Sequence, residues 1–132
     1  SNEQSKKNLI KLGYEVIGDK SVNCLEYNIE EEICDIIITN PPFTTDIKIN
    51  ILKKLFSLDK PFMIIMNACN LFTKYYHDLI ADKEIYYIYP KGKLYFDKYN
   101  GEKLIIPYEK NKNCSFYSVY VCYKLIDRNY HL

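Results

Sequence analysis

Histidines and metal-binding cysteine patterns are what this chain has least of. Only His77 and His131 occur, and the five cysteines (Cys24, Cys34, Cys69, Cys114 and Cys122) contain no Cys-x-x-Cys pair. A structural zinc site needs such spacing, so no metal is expected. An odd set of cysteines without framework spacing also speaks against disulfides, and the five are read as core thiols in a reducing cytoplasm. Long apolar runs are missing too: nothing approaches the roughly 18 residues that span a bilayer, and no membrane partner is expected. Behind Ser1-Asn2-Glu3-Gln4-Ser5-Lys6-Lys7 there is no apolar stretch, so a secretory signal is not expected and a cytoplasmic location is. Nor is there an excess of charge of one sign. Eighteen basic against 17 acidic residues leave a net +1, which excludes a uniformly basic nucleic-acid coat and still permits a local basic face.

What is present suffices for a core. The 132 residues, 48% hydrophobic and 27% charged, make one domain spanning 1–132. Leu9, Ile10 and Leu12 follow polar residues and precede Gly13, which reads as a short helix over Asn2 to Leu12 with a glycine cap. Tyr14 to Ile17 and Val22 to Tyr27 are short strand candidates. Cys34 to Thr39 is mostly β-branched and apolar, the pattern of a strand covered on both faces. Asn40-Pro41-Pro42-Phe43 stops it, because proline cannot donate to a ladder. Ile47, Ile51, Leu52, Leu55 and Leu58 recur at helical spacing over Asp46 to Leu58. Phe62 to Met66 is a buried strand, and Leu71, Phe72, Tyr75, Tyr76, Leu79 and Ile80 mark a second amphipathic helix. Ile85 to Tyr89 and Phe116 to Leu125 are further strands, with a lysine-rich loop from Lys91 to Asn113 between them. This alternation predicts an α/β sheet with crossover helices. The last two strands lack a helix between them, so they are expected to pair antiparallel at one edge.

The segment that carries chemistry is Asp35 to Phe43. A hydrophobic strand that ends in an amide and two prolines puts them where α/β sheets bind ligands. Pro41 and Pro42 fix the backbone and lack N–H groups, so no local donor competes for the carbonyl oxygens. The Asn40 side-chain oxygen and a proline carbonyl can then accept from one exocyclic amine, with the Phe43 ring beside it as a stacking face. The same residues also read as a buried strand closed by a rigid turn, with Asn40 capping its own backbone.

Asn40-Pro41-Pro42-Phe43 resembles the [DNS]-P-P-[YF] catalytic motif of S-adenosylmethionine-dependent amino-methyltransferases. Lys91-Gly92-Lys93-Leu94-Tyr95-Phe96 resembles the G-[RK]-[IL]-x-F segment of phage and restriction-modification DNA N6-adenine methyltransferases. Cys114 to Val121 resembles their terminal P-F-x-S strand, with Ser115 in place of the proline. The resemblance covers roughly residues 34 to 124. It implies a partial Rossmann-like methyltransferase sheet, mainly parallel, with an antiparallel C-terminal edge strand. It also implies duplex DNA as partner, with an adenine flipped out of the stack. Asn40 and the Pro41 carbonyl would hold the adenine amino group, Pro42 would stiffen the turn, and Phe43 would stack on the base. S-adenosylmethionine is the implied cofactor.

One part of the family pattern is missing. Such enzymes carry a glycine-rich cofactor loop after their first strand, whereas Gly13, Gly18, Gly92 and Gly101 are nowhere closely spaced. Asp19 and Asn23 are the candidates for cofactor contact, and each also reads as a solvated turn residue. The chain is therefore expected to be a truncated methyltransferase domain, a remnant, or one subunit of a pair. It is expected to be inactive alone, and exposed sheet edge would favour a homodimer or completion by a missing N-terminal part.

The lysine-rich loop sets Lys91, Lys93 and Lys98 among Tyr95, Phe96 and Tyr99, a pattern suited to phosphates and stacked bases. Asp97, Glu102 and Glu109 offset part of its charge, and a solvated surface loop fits as well. Two alternative functions stay open. One is a methyltransferase acting on RNA bases or glutamine side chains. The other is a non-catalytic nucleic-acid-binding or interaction module on a decayed methyltransferase fold.

Overall fold

The structure, a computed structural model, describes residues 3–17, 34–41, 45–95, 98–100, 103–106 and 116–132. Helix α1, Glu3–Lys11, ends as the glycine predicts. Gly13 takes φ +94°, its N–H reaches the Ile10 carbonyl at 3.0 Å, and the Tyr14 N–H reaches that of Leu9 at 3.2 Å. Those two bonds are a Schellman closure, which a residue bearing a Cβ would adopt only with strain. Tyr14 to Ile17, expected as a strand, pairs with no strand among the described residues. Val22 to Tyr27 lies outside them.

Strand β1 is Ile37–Thr39, and helix α2 follows at Thr45–Leu58. The buried stripe of α2 runs Lys48, Ile51, Leu52, Leu55, whereas Ile47 is exposed. Strand β2, Phe62–Asn67, alternates fully buried and half-buried residues. A 3-10 helix, Ala68–Phe72, then gives way to α3, Lys74–Ile80. The sequence predicts one amphipathic helix from Leu71 onward, but Thr73 is extended at φ −86° and ψ 149° and breaks it in two. The break changes the helical phase, so Leu71 packs on the core and Phe72 turns out to solvent.

Strand β3 is Ile85–Tyr89. The segment read as a lysine-rich loop contains two strands, β4 at Lys98–Asn100 and β5 at Lys103–Ile106, paired antiparallel in a sheet of their own. Leu104-Ile105-Ile106 is strand-forming, and Asn100 pairs with Lys103 at the closed end of the hairpin. Strand β6 is Ser118–Tyr123 and β7 is Tyr130–His131.

The main sheet has five strands in the order β1-β2-β6-β3-β7. Parallel pairing of β1 with β2 and of β3 with β7, and antiparallel pairing of β6 with both neighbours, leaves β6 alone reversed. The fold is α/β with a mixed sheet. The antiparallel pairing of the last two long strands is as expected, but β6 sits inside the sheet rather than at its edge. Ser118, Val119, Val121, Cys122 and Tyr123 are all buried, on both faces, and such a strand needs a neighbour on each side.

Phe62, Ile64 and Met66 lie opposite Tyr123, Val121 and Val119, and this face packs on α2 and α3. Phe62 and Tyr123 both meet the Phe56 ring edge-on, at 5.2 and 5.3 Å between centroids. The buried Tyr76 hydroxyl shares a 2.6 Å hydrogen bond with that of Tyr87, and burial pushes its pKa far upward. Of the cysteines expected in the core, only Cys122 is there among those described, its thiol pKa raised by burial. Cys34 is half-buried and Cys69 exposed, because each sits in a connection rather than a strand interior, while Cys24 and Cys114 lie outside the described residues.

Two left-handed residues face each other across the end of the sheet, Asp59 at φ 52° and Lys124 at φ 54°. The Lys124 ammonium meets Asp59 Oδ2 at 2.8 Å, and the Tyr123 hydroxyl donates to Oδ1 at 2.6 Å. These hydrogen bonds, Lys124 first, hold the Asp59 carboxyl below its ordinary range. A depressed carboxyl contributes stability above its unfolded pKa, near 4, and loses it as pH falls through the lower folded value. Thermal melts of Asp59→Asn, which tolerates the same backbone, are expected to depend less on pH below about 4 than those of the wild type. Identical pH dependence would remove the assigned contribution.

Candidate functional site

Because β1, β2, β3 and β7 run together, the turns that leave them lie on one edge of the sheet, and the start of reversed β6 lies there too. Asn40 stands on that edge directly after β1, its side chain exposed, while Pro41 is buried. Strand alternation puts Asn40 on the same face as Ile36 and Ile38, which are 42% and 56% exposed. Ile37 and Thr39 point the other way, and Ile37 packs against the core beneath α2. The amide therefore emerges from an anchored backbone next to an uncovered apolar surface. Pro42, Phe43, Asp19 and Asn23 lie outside the described residues.

The adjacent turn, after β2, is held by a polar network. Asn67 Oδ1 accepts from the Cys69 N–H at 3.0 Å, and the Asn70 amide donates to the Asn67 carbonyl at 2.9 Å. Buried Asn70 Oδ1 accepts from the Tyr75 hydroxyl at 2.5 Å and from the Lys48 ammonium at 3.2 Å. Thr73 closes the turn by donating its hydroxyl to the Asn70 carbonyl at 2.7 Å. Burial of Lys48 lowers its pKa, since the charged form gives up hydration. None of these residues was singled out from sequence. Asn67, Asn70 and Thr73 at three-residue intervals after a strand were the available signal, and Lys48 on the helical stripe of Ile51, Leu52 and Leu55 was another.

The next strand, β6, enters the edge with Ser118 opposite Asn67, and the Ala68 N–H bonds to the Tyr117 carbonyl at 2.8 Å. The Ser118 hydroxyl is buried and meets no hydrogen-bond partner among the described residues. The Tyr117 ring is 57% exposed, with the Lys93 ammonium 5.1 Å from its centroid. Beyond β3, Lys91 and Tyr95 are exposed and Lys93 half-buried, with Gly92 turning the chain at φ 81°. Nothing is described of the Lys98 side chain, though Lys98 opens β4. Asn40 and the Lys91–Tyr95 segment thus share an edge but stand three strand spacings apart, about 14 Å.

A depression of about 770 Å³ lies elsewhere, around Asp82, Glu84, Tyr86, Lys124 and Asp127 near the start of β3 and the turn after β6. Its charges are mixed, and it takes in none of the residues on the Asn40 edge. Among the described residues, no three His, Cys, Asp or Glu side chains gather as a metal site requires, and no helix is long and apolar enough to cross a membrane. Comparison with known protein families, curated proteins and solved structures finds no match.

Proposed function

We propose that this chain is the target-base half of an S-adenosylmethionine-dependent amino-methyltransferase acting on adenine N6 in DNA. The observation that carries the reading is Asn40: an exposed amide at the end of a β-strand, followed by a buried proline, on the edge where parallel strands end and where α/β sheets commonly bind ligands. Its oxygen and the Pro41 carbonyl would accept the two N–H bonds of the exocyclic amine. Accepting those two hydrogen bonds raises electron density on the nitrogen and turns its lone pair out of conjugation with the ring, toward an electrophile. Ser118 on the same edge occupies the serine position of the P-F-x-S segment. Lys91 and Lys93 would meet phosphates of the strand from which the base is extruded.

S-adenosylmethionine would supply the methyl group, and on this reading its site is incomplete in this chain. No two glycines are closely spaced in the sequence. Among the described residues β1 is an edge strand with Ile36 and Ile38 uncovered, the surface on which a donor-holding half would continue the sheet. Completion by another polypeptide, or by a second copy, follows from this reading. So does the alternative of a non-catalytic nucleic-acid-binding module, favoured by the same shortage of glycines.

Calorimetric titration separates the possibilities. The chain alone is expected to give no saturable micromolar binding of S-adenosylmethionine and to bind duplex DNA with an affinity that falls steeply with salt. Tight cofactor binding would overturn the incompleteness of the donor site. Salt-independent affinity, or none, would remove DNA as the substrate.

A further inference from the structure

Phe72 is 84% exposed, more than any other large apolar side chain described. The turn that carries it is no loose loop. Asn67, Asn70, Thr73, Tyr75 and buried Lys48 lock it through the hydrogen bonds given above, two of them ending on a single buried carboxamide oxygen. A stiff turn that displays a phenyl ring to water loses burial energy without gaining flexibility. The ring is also in company. The Ala68–Tyr117 backbone bond ties this turn to the exposed Tyr117 ring, and Lys93 stands over that ring. Lys74, beside Phe72, is 87% exposed and shares its charge with Asp78.

We propose that Phe72 is a nucleobase-stacking residue, contacting the nucleic-acid strand beside the base held at Asn40. The inference rests on the nucleic-acid reading above and extends it to a second contact on the neighbouring turn. Nucleic acid is the partner of choice because it offers flat apolar faces at regular intervals, each beside a phosphate that Lys91 or Lys93 can meet. Stacking needs a ring pre-set in orientation, which the hydrogen-bonded turn provides, and tolerates any base. A protein partner would instead need a contiguous apolar patch, whereas on this turn Ala68 and Leu71 pack against the core and leave Cys69, Asn70 and Thr73 around Phe72.

The chain has no tryptophan, so Phe72→Trp introduces a single indole reporter. Titration of that variant with a short oligonucleotide carrying one unpaired adenine is expected to quench its emission. Phe72→Ala is expected to bind the same oligonucleotide about tenfold or more weakly at an unchanged melting temperature, and Phe72→Leu to restore little of the loss. Wild-type binding with an unquenched indole and an unaffected Phe72→Ala would overturn the stacking role and leave the Asn40 reading standing. No wild-type binding to any oligonucleotide would overturn both. Self-association lost in Phe72→Ala, without any change in oligonucleotide affinity, would assign the ring to a protein contact instead.

Discussion

Replacing Asn40 with alanine is expected to remove most of a preference for adenine over purine at an unpaired position in an oligonucleotide. The two bases differ only in the exocyclic amine, the group that the Asn40 oxygen and the Pro41 carbonyl would accept from. A two-point contact of this kind discriminates by about 1–3 kcal/mol, so the wild type should favour adenine roughly tenfold to a hundredfold. The variant, left with the Pro41 carbonyl alone, should lose most of that preference. Asn40 is exposed and takes no part in the core, so its melting temperature should not move. Competition binding with the two oligonucleotides measures the effect without needing the methyl donor. Equal wild-type affinity for both, or an unchanged preference in the variant, would dismiss the role given to Asn40. Joined to a donor-holding half, the variant should also lose about 100-fold to 1,000-fold in methyl transfer, the usual cost of removing one hydrogen-bonding group from the reacting centre.

Phe62→Ala is expected to have the largest effect on stability. Phe62 is fully buried at the start of β2, its ring 5.2 Å from that of Phe56 and 5.4 Å from that of Tyr123. Removing a buried phenyl ring costs about 3–5 kcal/mol through lost burial and the cavity left behind. Against a total of roughly 5–15 kcal/mol for a domain of this kind, much of the folded population is at risk. Chemical denaturation should give a lower midpoint with an unchanged slope. A loss under about 1 kcal/mol would mean that β2 does not pack as described. Phe72→Ala, the same chemical change at an exposed ring, provides the contrast and should stay within about 0.5 kcal/mol.

These two phenylalanines mark the limit of what a sequence pattern can tell. Both belong to apolar runs, and Phe72 falls on the helical stripe of Leu71, Tyr75 and Tyr76. Only Thr73, extended rather than helical, changes the phase and sends Phe72 outward. In α2 the stripe was read through Ile47, while the folded helix buries Lys48, whose amine finds Asn70 from a turn 22 residues away. No local rule anticipates that partner. The hairpin of β4 and β5 is legible in principle, from Gly101 ahead of the strand-forming Leu104-Ile105-Ile106, and is hidden among the surrounding lysines.

What the chain settles by itself is local. Gly13 closes α1, the proline after Asn40 ends β1, and the apolar run Phe62 to Met66 makes β2 a buried strand without saying which of its faces meets the helices. Each depends on dihedral restriction or periodicity over a few neighbouring residues. The order of the sheet does not. Reversed β6 lies between β2 and β3 because Ser118 to Tyr123 bury both faces and pair on both sides, a matter of contacts between segments 30 to 60 residues apart. That insertion brings Tyr117 and Ser118 to the edge that holds Asn40, so the candidate site is a product of long-range pairing.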